Sequence, residues 1–187
     1  SAPRAYTGPA RTAADAKPEF TADGFVGDDG IASAKVDGSI TDVGETESNV
    51  AQGSVVLKDG TKASNYSITY KPGKLEVTPV ADKVTVTITG NSATLPYSGS
   101  EQSVTGYSFA TSDNRYSEAN VKFQGEAVAK GTNAGTYNMN LASGQFSNTS
   151  GNFTNVEFVA VDDSLKITGG DLDVDKVVWD VHDVQKV

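Results

Sequence analysis

Apolar and polar residues alternate with a period of two through most of this chain, the signature of half-buried strands. In residues 65–78, Tyr66, Ile68 and Tyr70 alternate with Ser67 and Thr69, and Leu75 and Val77 then alternate with Lys74, Glu76 and Thr78. Pro72-Gly73 stands between the two runs, so the stretch predicts two strands around a tight turn. Residues 155–168 have the same length and layout, with Asp162-Asp163 near the turn. The cleanest alternation lies over 83–90, where Val84, Val86 and Ile88 are interleaved with threonines. Further strands are predicted over 20–25 and 30–36 around Gly27-Asp28-Asp29, and over 54–57 ahead of a Lys58-Asp59-Gly60 turn. Others are predicted near Tyr97, over 107–109 and 121–123, and through Tyr137, Met139 and Leu141. Only residues 12–19 have helical composition, and Pro18 would end that short helix.

The pattern is written twice. Tyr6-Thr7-Gly8 is matched by Tyr97-Ser98-Gly99, and 41–46 by 132–137, both 91 residues on; 65–78 is matched by 155–168, 90 residues on. Three separated matches at offsets of 91, 91 and 90 read as an internal repeat, with modules at 1–79 and 80–170. Pro79-Val80-Ala81 is a short, stiff joint, which favours an extended rod. In the tail, 171–187, Asp175-Lys176-Val177 echoes Asp82-Lys83-Val84, so the tail looks like the first strand of a third module. The first module has no counterpart of 83–90. Ser1 opens in mid-pattern, so the chain reads as part of a longer protein. A missing strand leaves unpaired backbone along an edge, and residues 174–184 are expected to fill such an edge, in their own or a neighbouring molecule.

Composition adds limits. The chain of 187 residues carries 24 acidic and 15 basic side chains, a net charge of −9 without clustering of the basic ones. Nucleic-acid phosphates and anionic membrane surfaces both call for clustered Lys and Arg, so neither is an expected partner. Abundant Gly, Thr, Ser, Val and Asn suit a β-protein with many turns. No apolar run approaches a membrane span, and no signal-peptide pattern opens the chain. The absence of cysteine leaves the redox compartment open.

The duplicated motifs resemble the repeat modules of large bacterial surface proteins, in the families named for a Tyr-Asp-Gly motif and for the MBG domain. The first module carries the resemblance through Tyr6-Thr7-Gly8, Asp42-Val43-Gly44-Glu45 and 65–78. The second carries it through Tyr97-Ser98-Gly99, Asn133-Ala134-Gly135-Thr136 and 155–168. Glu45 replaces the family's usual Thr, and Asn133-Ala134 its Asp-Val. The resemblance implies two tandem, mainly β, antiparallel modules with a β-grasp-like or immunoglobulin-like fold. It also implies an extracellular, cell-wall-attached setting, in proteins usually described as adhesins. The expected function is a non-enzymatic stalk or spacer with a share in adhesion, alongside neighbouring repeats and a host glycoprotein or glycan. The alternative is a carbohydrate-binding module recognising mucin or another glycan.

Reactive constellations are sparse, and no catalytic, cofactor or metal residue is assigned. His182 is the single histidine and lies in the tail, so a Ser/His/Asp site or a zinc site finds little support. Glu45 with Glu47, and Asp162 with Asp163, read as solvated residues rather than as glycosidase pairs. Asp171, Asp173 and Asp175 alternate like the start of a calcium loop, but no Gly follows at the sixth position and His182 stands where a Glu should close it. Lys35, Lys74, Lys122 and Lys166 are candidates for an isopeptide bond to Asn, with the solvent face of a strand as the simpler reading. Tyr6, Tyr66, Tyr70, Tyr97, Tyr107, Tyr137 and Phe153 are candidate glycan-stacking rings, though repeat-equivalent positions suit a core; Trp179 lies outside both repeats. Asn65, Asn148 and Asn152 head glycosylation sequons, which matter only in a eukaryotic secretory route.

Overall fold

The computed structural model describes residues 2–15 and 19–171. Among them every element longer than one turn is a strand. The first repeat holds β1 (Arg4–Ala5), β2 (Arg11–Thr12), β3 (Ile31–Ser33), β4 (Val36–Asp37), β5 (Ser39–Ile40), β6 (Gly44–Val50), β7 (Val56–Leu57) and β8 (Gly73–Thr78). The second begins with β9 (Val84–Gly90), β10 (Ala93–Pro96), β11 (Gln102–Thr105), β12 (Tyr107–Thr111) and β13 (Val121–Phe123). It ends with β14 (Val128–Gly131), β15 (Gly135–Asn138), β16 (Phe146–Asn148), β17 (Val156–Val161) and β18 (Ser164–Thr168). The protein is mainly β, and no described helix is long and apolar enough to cross a membrane.

The repeat is visible in strand register. In the first copy β8 lies between β1, which it pairs in parallel (Arg4 opposite Val77), and β6, which it pairs antiparallel (Gly44 opposite Val77). In the second copy β18 lies between β10, parallel (Leu95 opposite Ile167), and β15, antiparallel (Gly135 opposite Ile167). Leu75 and Val77 on β8, and Leu165 and Ile167 on β18, are the buried inward residues of these closing strands. The Tyr-x-Gly motif ends the opening strand identically in both copies. The Tyr6 N–H donates to the Thr78 carbonyl at 2.8 Å, and the Tyr97 N–H to the Thr168 carbonyl at 2.9 Å. Gly8 and Gly99 then turn the chain at φ +94° and +76°, a region where a Cβ is strained. Pro96, with no N–H to give, sits on the edge strand β10.

Several predicted elements are corrected. The closing hairpins do not form: β17 joins β9 and β12 in one sheet, whereas β18 joins β10 and β15 in another. The Asp162-Asp163 link explains the separation. The Asp162 carboxylate accepts from the Leu141 N–H (2.9 Å) and the Asp163 carbonyl from the Met139 N–H (2.9 Å), so the bend is tied to its neighbours rather than closed on itself. In the first copy only the second half of the pattern is a strand, β8; residues 66–71 pair with no described strand. Residues 20–25 are likewise not a strand, and 30–36 divides into β3 and the start of β4. The helix predicted over 12–19 is, in its described part, the end of β2 and one 3-10 turn, Ala13–Asp15, held by the Asp15 carboxylate accepting from the Thr12 N–H at 2.7 Å. Over 54–57 a 3-10 turn precedes the two-residue β7. The strand predicted through Tyr137, Met139 and Leu141 stops at Asn138, since Asn140 takes a φ of +62°. Pairing is antiparallel in most ladders but parallel where each closing strand meets its opening strand.

By contact the chain groups into two compact units that cut it differently from the sequence modules. The first unit holds the described residues up to Val86 with Thr111–Lys122 and Ser147–Glu157. Its aromatic core is Tyr6, Tyr116 and Phe153, with Phe153 edge-on to both tyrosines at 5.7 and 5.2 Å. The second unit holds Thr87–Ala110, Phe123–Phe146 and the described residues from Phe158 onward. Its core gathers Tyr107, Phe123, Phe146 and Phe158, with Phe123 and Phe146 stacked at 4.7 Å. The tail reading, with residues 172–187, lies outside the described residues.

Candidate functional site

The first repeat contains a groove where the second has a filled core. In the second, β9 runs down the middle of its sheet and buries Val84, Val86 and Ile88 to 1% exposure or less. No described strand stands in that place in the first repeat. The apolar residues around the position, Phe20, Phe25, Ile31, Val36, Val50 and Tyr66, are therefore only half-buried, and none reaches the burial of the β9 residues. They border a cavity of about 890 Å³, walled on one side by 19–25 and on another by 66–73. Ile68, which the alternation reads as inward, is 36% exposed along it.

One polar corner fixes the groove's shape. Asp29 accepts from the Tyr66 hydroxyl at 2.6 Å and from Thr61 Oγ1 at 3.3 Å; Thr61 Oγ1 in turn accepts from the Gly30 N–H at 3.1 Å. The hydrogen bond to Asp29 pushes the Tyr66 phenol above its ordinary pKa, so it stays protonated and donating. The Tyr66 ring lies against Phe25 at 4.8 Å. Residues 66–71 are thus anchored through the Tyr66 side chain instead of a backbone ladder. The walls offer aromatic and aliphatic surface beside an engaged carboxylate.

The other candidate residues fall elsewhere. Glu45 and Glu47 point to the exposed side of β6, and Glu45 is ion-paired with Lys74. Asp162 and Asp163 hold the bend described above. Lys35, Lys74, Lys122 and Lys166 are all exposed, and Lys35 pairs with Asp37 at 3.0 Å. Among the described residues no group of three or more His, Asp or Glu is placed to hold a metal ion. Of the alternating aspartates only Asp171 is described; Asp173, Asp175, Trp179 and His182 lie outside. The seven aromatic candidates do not share a face. Tyr6 and Phe153 are in one core and Tyr107 in another, Tyr97 is half exposed, and the Tyr137 hydroxyl donates to the Asn133 carbonyl at 3.0 Å. Tyr66 and Tyr70 line the groove. The Asn148 and Asn152 amides donate to Phe153 and Asp42, while Asn65 is exposed on a 3-10 turn.

Arg115, which no motif singled out, organises the first unit. It forks onto Asp113 (2.9 and 2.5 Å), donates to the Tyr6 carbonyl at 2.6 Å and lies over the Phe153 ring. The guanidinium holds the Asp113 carboxyl below its ordinary pKa. The groove was missed as a site, although one signal pointed to it: the absence of any first-module counterpart to 83–90.

Residues 6–76 match the family model described as MBG domain (YGX type). No curated protein and no solved structure matches the chain.

Proposed function

We propose that this chain, whose residues 6–76 form an MBG-type repeat module of the YGX type, is a non-enzymatic spacer from a bacterial surface adhesin. Modules of this family usually occur in extracellular surface proteins. The observation that supports the reading is the repeated register, with each closing strand held between an opening strand and a middle strand at the same spacing in both copies. Such a unit can be added many times without new design, since each copy brings the same core and the same strand ends. In this role the acidic surface keeps a long cell-wall-attached array soluble, and adhesion is shared with the neighbouring repeats. The test is to vary the number of these repeats in the intact surface protein. Reach from the cell, measured by single-molecule force extension, should scale with repeat number while affinity for the host surface stays constant; affinity that rises in step with repeat number overturns a spacer role.

A carbohydrate-binding module is the second reading, favoured by the grouping of Phe20, Phe25, Tyr66 and Tyr70 around one groove. Aromatic faces are the usual platform for sugar rings. Saturable binding to mucin glycans that Tyr70→Ala abolishes would support it.

A further inference from the structure

We propose that the groove of the first repeat is an acceptor for one extended strand, and that its occupant is residues 174–184 of a second copy of this chain. The proposal rests on strand register and holds whether or not the spacer reading does.

Residues 66–71 stand 90 positions before β17, and β17 is paired with β9 in the second repeat. The same run of alternating residues therefore has a strand partner in one copy and none among the described residues in the other. Unpaired strand-forming backbone beside half-buried apolar surface is a template for strand addition. What the groove lacks is defined by what β9 supplies: an apolar residue at every second position, entered through Asp82-Lys83.

The tail supplies that pattern. Asp175-Lys176-Val177 repeats Asp82-Lys83-Val84, and in an extended segment Val177, Trp179 and Val181 share one side. In register with β9 they take the places of Val84, Val86 and Ile88.

Chain order selects a second copy over the same one. Within the chain, the closing strand β8 leads through 79–83 into β9, the first strand of the next repeat. In the sequence, 176–184 follows β18 after 169–175, seven residues against the five between β8 and β9, so the tail holds the place that β9 holds after β8. The first repeat of another molecule then takes the tail as the second repeat takes β9. Such a contact is heterologous, groove on one copy and tail on the next, and it does not close on itself.

The full chain should show an average mass that rises with concentration above the monomer in analytical ultracentrifugation. The emission of Trp179, the single tryptophan, should move to the blue in parallel. Ile68→Lys, on the exposed groove rim, and Val181→Lys, in the tail, should each leave a monomer with emission typical of water. Mixed together, they should form a one-to-one complex and nothing larger, because one sound groove and one sound tail remain; this also shows that neither variant is merely unfolded. A wild-type chain that stays monomeric at all concentrations overturns the proposal, as does blue-shifted emission at monomer mass, which places the tail in its own groove. Association that survives both substitutions, or uptake of mucin glycans by the groove of a monomeric chain, overturns it as well.

Discussion

At the scale of single residues, Gly99 carries a conformation and little else. Its φ is +76° and a Cβ there would meet nothing within 4 Å, so Gly99→Ala isolates backbone strain. It should cost about 1–2 kcal/mol in urea unfolding. Leu165 and Val159 look alike in an alternating sequence but are 0% and 39% exposed. Leu165→Ala is expected to lose about 2–5 kcal/mol, and Val159→Ala under about 0.5 kcal/mol. Asp113 titrates below the ordinary carboxylate range because Arg115 holds its charged form. Its contribution is therefore complete above the unfolded-state pKa and fades as pH falls through the lower folded value. Acid titration of stability should be steepest below about pH 4, and Asp113→Asn should flatten that limb. The Tyr-x-Gly positions were legible because turn chemistry is local. Arg115 was not, because the Tyr6 carbonyl it binds lies 109 residues away.

At the scale of elements, the same fourteen-residue pattern has two fates. In the second repeat both halves are strands, β17 and β18, each drawn to a different sheet. In the first repeat only β8 forms, and 66–71 hang from the Tyr66–Asp29 hydrogen bond. Backbone amides outside a ladder exchange through small local openings. In the monomer at low concentration, hydrogen exchange should therefore be fast over 67–71 and at least about tenfold slower over Val156–Val161; equal protection there would mean that 66–71 has found a ladder partner within its own chain. Alternation marked both stretches as strands, which holds for β8, β17 and β18 and not for 66–71. It said nothing about partners, and the hairpin reading failed because adjacency in sequence was taken for adjacency in a sheet.

At the scale of the whole molecule, the repeat makes two comparable copies while contact divides the chain along other lines. Segments of the second repeat around Arg115, Tyr116 and Phe153 pack with Tyr6 in one core. The four candidate lysines are exposed, as the solvent-face reading expected, whereas an isopeptide bond needs a buried Lys beside its Asn. Intact-mass spectrometry should accordingly return the mass of the unmodified sequence, and a deficit of one ammonia would reveal such a bond.

The sequence alone determined most of the strand-forming segments, the duplication and the turn at each Tyr-x-Gly, because period, offset and turn chemistry are written in the residues themselves. Tertiary structure alone decided which strands pair, which alternating face is buried, and that the first repeat holds a groove where the second holds β9. A strand's propensity is written in its own side chains, but its hydrogen bonds and burial come from whatever lies beside it, and that neighbour is chosen by the fold.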